Sequence, residues 1–224
     1  MKRLKIIKLY LIRHARQESP LCNVNVPLAN EGLLQSELVG KRLNGYNIQK
    51  VYSSNLIRAK MTADIIREQL GMDKDVEGMY ETEDLRETDF GYMTGLSDEV
   101  LRDKFSDYYI KRELMKEDLR IPGGENGEQV FERMNRAIEK IIRDSIENNV
   151  SNIAIVSHGG AIRCYLSGIL GMPFGKRFVI ARTMENCSIT QVNYNIDNDN
   201  YSVERINDYS HLEGYEELLR KNFK

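Results

Sequence analysis

The sequence predicts an α/β fold, a three-layer sandwich with a mainly parallel central sheet and helices on both faces. Three observations carry that expectation. Residues 6–12 and 153–156 are short apolar runs rich in β-branched side chains, as strands buried on both faces are. Segments with apolar residues at helical spacing alternate with such runs, the order that builds parallel strands joined by crossover helices. Glycine and proline fall between the segments as turn punctuation, and no linker, repeat or low-complexity tract interrupts them.

Each element has its own signal. Ile6, Ile7, Leu9, Leu11 and Ile12 form a buried strand that runs into Arg13-His14. Residues 19–30 hold Pro, Asn and Cys without periodicity and read as a loop. Residues 31–43 form a helix with Leu34, Leu38 and Leu43 near helical spacing, stopped by Gly45. Val51-Tyr52-Ser53 is a second strand. Ser54 or Asn55 can cap the next helix, whose face carries Ile57, Met61, Ile65 and Ile66 and which Gly71 ends. After a polar stretch reaching Leu85-Arg86-Glu87, residues 97–119 predict one or two surface helices, and Pro122-Gly123-Gly124 is a break. Asn126 with Gln129 fits a capping box opening a strongly amphipathic helix with Val130, Met134, Ala137, Ile138, Ile141 and Ile142. The strand Ile153-Ala154-Ile155-Val156 ends on Ser157-His158-Gly159-Gly160, and a helix over 161–170 follows. Residues 188–195 and 201–206 alternate about Asp197-Asn198-Asp199-Asn200, a hairpin signal. A short helix over 212–221 closes the chain. One domain over 1–224 accommodates all of this, with 97–120 as a helical insertion or lid.

Composition excludes several classes. Lys plus Arg number 32 against 34 Asp plus Glu, so no global charge draws the chain to nucleic acid or an anionic membrane. No apolar run approaches the roughly 20 residues of a membrane helix. The basic start is interrupted by Lys8 and Arg13 before a signal-peptide core can form, so the expected location is cytoplasmic. Cys22, Cys164 and Cys187 make no C-x-x-C and read as inert thiols. Oligomeric state has no sequence signature.

The chemistry concentrates at strand ends. Two of three histidines, His14 and His158, sit at the C-terminal ends of the two most apolar strands, where open α/β sheets form their ligand crevice. Adjacent strands would bring the imidazoles together. Arg13 precedes His14, and a guanidinium forks onto oxyanions. Arg58 lies in the first turn after the second strand, although alone it also fits a solvated helix charge. His158-Gly159-Gly160 opens a helix whose free N–H groups suit an anion. Two arginines, two histidines and a helix start make a site for an oxyanion such as phosphate. Glu87, after Leu85 at another expected strand end, is the candidate proton source; a surface acid in an acidic segment is the competing reading.

The motifs also carry a resemblance. Leu11-Ile12-Arg13-His14-Ala15 resembles the Arg-His-Gly signature of the histidine phosphatase superfamily, the phosphoglycerate mutase-like fold. Pro27-Leu28-Ala29-Asn30-Glu31-Gly32 resembles that family's helix start, and Ser53 to Ala59 with Thr62-Ala63 resembles its second-strand element. Leu85 to Gly91 with Gly95, Pro122-Gly123-Gly124-Glu125 and Val156 to Gly160 complete the series in family order, and Asn186 to Thr190 fits its tail. The resemblance implies His14 as nucleophile, forming a phosphohistidine. It implies Arg13, Arg58, His158 and Gly159 around the phosphoryl oxygens, with Glu87 protonating the leaving group. No metal or cofactor is then required. The pattern resembles the branch of mutases and small phosphatases rather than that of acid phosphatases and phytases.

Departures refine the expectation. Ala15 replaces the usual Gly, where a methyl group could crowd the phosphate. Pro20 stands where the family has a phosphate-contacting Asn, leaving Asn23 or Asn25 as substitutes. The mutases' adjacent arginine pair is not reproduced; Lys111-Arg112 is the only basic pair in that segment. The expected function is a metal-independent phosphomonoester hydrolase acting on a small phosphorylated metabolite. The alternatives are a bisphosphoglycerate-dependent mutase and a phosphate-binding module without turnover. Tyr92, Met93, Tyr108 and Tyr109 are candidates for the site entrance.

Overall fold

A computed structural model describes residues 4–72 and 80–220. Strand β1 (Ile6–Arg13) is followed by helix α1 (Asn30–Leu43), β2 (Lys50–Ser54), α2 (Ile57–Gln69) and a short β3 (Tyr80–Thr82). Two small helices, α3 (Asp98–Lys104) and α4 (Ser106–Glu113), precede the long α5 (Gly127–Glu147). Then come β4 (Asn152–Ser157), α6 (Gly159–Ile169), β5 (Ile189–Asn195) and β6 (Asn200–Asp208). The sheet order is β3-β2-β4-β1-β5-β6, parallel from β3 to β1 and antiparallel across β5 and β6.

Strand alternation divides the core into two layers, because successive side chains point to opposite faces. Ile7, Leu9 and Leu11 of β1 pack with Ile153 and Ile155 against α5 and α6. Tyr10 and Ile12 pack with Ala154 and Val156 against α1 and α2. Helices on both faces are therefore a consequence of strands that are apolar on both faces. The register then places the ends of the central strands. Leu11 pairs with Ile155 and Arg13 with Ser157, so the residues just beyond, His14 and His158, leave the sheet side by side.

The local signals mostly act as expected. Asn126 and Gln129 form a reciprocal capping box on α5. The β5–β6 hairpin closes with Asn195 opposite Asn200. Three expectations are corrected. The cap of α2 is neither Ser54 nor Asn55: its first amide, Ile57 N, donates to Asn25 Oδ1 at 2.8 Å from a distant loop. The closing helix is replaced by two 3₁₀ turns, Ser210–Leu212 and Glu216–Leu218. Leu212, Leu218 and Leu219 are buried in the α1–α2 layer, and fitting all three there outweighs continuous helical winding. Glu87 does not end a strand. β3 stops at Thr82, a 3₁₀ turn over Glu83–Leu85 follows, and Glu87 lies in the irregular chain beyond. The α3–α4 segment contributes nothing to the sheet and packs on its own small cluster around Met93, Leu101 and Ile121.

Candidate active site

His14 is buried, and its hydrogen bonds select one tautomer. Nδ1 lies 2.7 Å from Ala15 O, and a carbonyl can only accept, so Nδ1 carries the proton. Arg58 Nε donates to Nε2 at 3.2 Å, and a guanidinium can only donate, so Nε2 carries the lone pair. Burial, reinforced by the charges of Arg58 and Arg13, holds the His14 pKa well below the ordinary imidazole value. The result is a neutral ring with a nucleophilic Nε2. The His14 carbonyl accepts from Asn186 Nδ2 at 2.8 Å and its amide donates to Ser157 O at 2.9 Å, fixing the backbone beneath the ring.

His158 is fully buried, with its ring centroid 4.9 Å from that of His14. Nε2 lies 2.9 Å from Ser54 Oγ, and the buried Nδ1 has no partner among the described residues. Burial first, then His14 and Arg58, lower its pKa well below the ordinary value. Arg58 is fully buried at the start of α2 and is no solvated charge. Its Nη1 donates to Val24 O and its Nη2 to Asn23 Oδ1, each at 2.9 Å. Arg13 donates to Met184 O, while its buried Nε has no partner among the described residues. Burial and the nearby Arg220 push the Arg13 pKa down to about 9.

Glu87 meets this group from the opposite side. Its carboxylate accepts from Thr88 N at 2.8 Å, Ala161 N at 3.0 Å and Gly160 N at 3.2 Å. The start of α6 is therefore not an open anion nest, since two of its amides already hold Glu87. Gly160 permits this: a Cβ there would sit 2.5 Å from Glu87 Oε1. A Cβ at Gly159 would instead meet the Arg13 side chain at 3.5 Å, an ordinary contact. The segment carrying Glu87 is held by buried Arg133 of α5, which donates to the carbonyls of Asp84, Arg86 and Glu87. Arg133 is itself paired with Glu125 through two contacts of 2.9 Å. Burial alone would push the Glu125 carboxyl up, but the Arg133 hydrogen bonds and the Asp89 amide outweigh it and hold the pKa below the usual range.

The two loop asparagines separate. Asn23 adopts a left-handed backbone (φ 47°), bonds Arg58 and donates to Thr88 O at 3.2 Å, bridging the two sides of the site. Asn25 caps α2. The Ala15 methyl lies in the α1–α2 core, so it does not crowd the crevice as its type suggested. Arg13, His14, Asn23, Arg58 and Glu87 line a cavity of about 610 Å³. A second cavity of about 210 Å³ adjoins it across Arg13, Glu87 and Arg220 and is walled by Phe90, Met93, Tyr108, Tyr109 and Phe178. Tyr92 is not in that wall; it is 75% exposed and lies over Gly123. Asn186, Arg133 and Arg220 were not singled out from the sequence. Arg133 is one of many charges along α5 and carries no local signal, and Asn186 has only the tail motif to mark it.

A neutral imidazole, one buried and one half-buried guanidinium and a carboxylate around one crevice can hold a phosphoryl group and exchange protons with it. The family comparison agrees. Residues 9–209 match the model of the histidine phosphatase superfamily (branch 1), and the chain belongs to that superfamily of phosphatases and mutases. A relative from Salmonella choleraesuis (strain SC-B67), named probable phosphoglycerate mutase GpmB, is 30% identical over 219 residues, covering 93% of this chain and 96% of the relative. Among solved structures, a mycobacterial glucosyl-3-phosphoglycerate phosphatase bound to VO3 aligns with a TM-score of 0.78 at 20% identity, over 92% of this chain and 100% of that one. A phosphoglycerate mutase from Bacillus anthracis str. Sterne also aligns at 0.78 and 20%, over 94% and 96%. At those identities the two structures speak for the fold.

Proposed function

We propose that this protein is a metal-independent phosphatase that hydrolyses a small phosphomonoester through a phosphohistidine on His14 Nε2. The observation that carries the reading is the fixed tautomer of His14, which keeps a neutral, unprotonated nitrogen beside Arg58. Nε2 attacks phosphorus and the P–O bond to the leaving group breaks in line. Arg13, Arg58 and His158 hold the equatorial oxygens, and an oxyanion there gives the unpartnered Arg13 Nε a hydrogen-bond acceptor. Glu87, protonated, donates to the departing oxygen. As a carboxylate it then takes a proton from the water that cleaves the N–P bond, releasing phosphate and regenerating His14. Gly159 borders the smaller cavity beside Arg13. The helical segment over 97–120 supplies part of the wall around the leaving group. No nucleic acid, membrane or cofactor enters the scheme, and the setting is cytoplasmic.

A second reading is a bisphosphoglycerate-dependent mutase; the printed name of one relative, probable phosphoglycerate mutase, favours the mutase part of it. It requires phosphoglycerate interconversion that depends on a bisphosphoglycerate primer. The binding-module reading loses its motive, since Ala15 points into the core.

The test is hydrolysis of para-nitrophenyl phosphate with and without EDTA. Turnover insensitive to EDTA and reduced by at least about 10³-fold in His14→Ala supports the reading, as loss of a nucleophile does. Turnover that survives His14→Ala sinks it.

A further inference from the structure

His158 is committed at one ring nitrogen and open at the other. Its Nε2 lies 2.9 Å from Ser54 Oγ, and its buried Nδ1 has no partner among the described residues. The ring stays neutral because burial, then His14, Arg58, Arg13 and Arg133, oppose its protonation. A neutral ring has one N–H, and its position decides what the ring can do. As Nδ1–H the ring donates a hydrogen bond to an oxyanion. As Nε2–H it turns a lone pair toward that oxyanion and repels it. The phosphatase reading, on which this inference rests, needs the first form.

Ser54 supplies the asymmetry. It ends β2, and the sheet register brings it to the crevice: Ser53 pairs with Val156 of β4, so Ser54 lies beside Ser157 and His158 follows directly. Ser54 is fully buried. Its Oγ accepts from Leu56 N at 3.2 Å in the turn between β2 and α2. A hydroxyl has one proton and two lone pairs. With one lone pair spent on Leu56, the proton still needs an acceptor, and among the described residues His158 Nε2 is the acceptor in reach.

The opposite assignment fails on satisfaction. If Nε2–H donated to Ser54, the hydroxyl proton would be buried without an acceptor and His158 Nδ1 would be a buried lone pair without a donor. Each such orphan costs stability. With Ser54 donating, a single orphan remains, the Nδ1–H, and a bound phosphoryl oxygen satisfies it. His14 and His158 then share one tautomer but use it in opposite ways. His14 presents a lone pair to phosphorus, and His158 presents an N–H to oxygen.

We propose that Ser54 is a positioning residue: its hydroxyl holds His158 as the Nδ1–H tautomer, so that the ring donates to a phosphoryl oxygen as the transition state spreads its charge. Ser54 acts only through His158.

The ring itself gives the first readout. The chain has three histidines, so in ¹⁵N-histidine-labelled protein the His158 signals are assigned as those lost in His158→Ala. The wild type is expected to show a protonated Nδ1 and an unprotonated Nε2, and Ser54→Ala to show the Nε2–H form. Turnover of para-nitrophenyl phosphate gives the second. Ser54→Ala is expected to lower kcat about 10²-fold with little change in KM, the cost of losing one donor to the transition state. Ser54→Thr keeps a hydroxyl and is expected to restore most of the rate and the wild-type tautomer. In a His158→Ala background, Ser54→Ala should cost no further kcat, because the two residues act as one unit. Folding is checked by Tm, and if Ser54→Ala does not fold the wild-type spectrum decides. Nε2–H in the wild type overturns the inference. So does a Ser54→Ala protein that loses Tm but keeps the tautomer and kcat, as does an additive loss in the double variant. Failure of the phosphatase reading is distinct: no ester would be turned over, while the His158 tautomer and its dependence on Ser54 would still be read from the spectra.

Discussion

His14 shows how much a single side chain owes to its neighbours. A free imidazole populates both tautomers and titrates near neutrality. Here one carbonyl and one guanidinium select the tautomer, and burial lowers the pKa. The expected consequence is that turnover does not lose its nucleophile to protonation near pH 6.5; a kcat/KM profile falling with a single acid limb at that pH would contradict it. Ala15 is the second residue-scale case. Its methyl group fills the core, so Ala15→Gly should leave kcat/KM unchanged while lowering stability by about 1 kcal/mol, measured by urea unfolding. The loop asparagines divide in the same way. Asn23→Ala is expected to raise KM for phosphate esters, because it loosens Arg58. Asn25→Ala is expected to show mainly a loss of about 1 kcal/mol, the usual worth of a helix cap.

Among the elements, the start of α6 is the most constrained. Its first amides hold the Glu87 carboxylate, and only glycine at 160 lets that carboxylate come so close. Gly160→Ala is expected to displace Glu87 and lower kcat by about 10²-fold, the cost of an ångström-scale misplacement of a reacting group. Gly159→Ala, with only ordinary contacts at 3.5 Å, is the control and should cost far less. Equal losses in the two variants would refute this account. Arg133 of α5 works on the other end of the same device, holding the 84–87 chain while Glu125 neutralises it. Replacing Glu125 by Ala leaves a buried guanidinium unpaired, and about 3–5 kcal/mol of stability should go with it.

At the level of the whole molecule, burial of the histidines links stability to pH. His14 and His158 are both held well below the ordinary value, and His211, half-buried beside Arg42, is lowered to about 4. The unfolded chain binds protons at these groups near pH 6.5 while the folded chain does not. Stability is therefore complete above that pH and declines as the pH falls through it toward 4. The expected result is a Tm that drops between pH 7.5 and 5, and a flat or rising Tm would contradict the sign. Asp208, paired with Arg42 and carrying a depressed pKa, adds to the loss only at still lower pH.

Periodicity, caps and strand-end chemistry are local properties, and the sequence determined what depends on them. β1 and β4 were legible as apolar runs, α5 as an amphipathic helix with its capping box, and the hairpin by its Asp and Asn turn. His14, His158, Arg13 and Arg58 were legible because the ends of apolar strands in a parallel sheet are where ligands sit. Their family order along the chain did the rest. Contacts between segments far apart in sequence have no such local trace, and these only the tertiary structure decided. Asn25 caps α2 from another loop, and the final turns abandon helical winding to bury Leu212, Leu218 and Leu219. Glu87 is set by Arg133 and Gly160. Each of these depends on which backbone atoms and charges folding brings within hydrogen-bond reach, and spacing along the chain does not encode that distance.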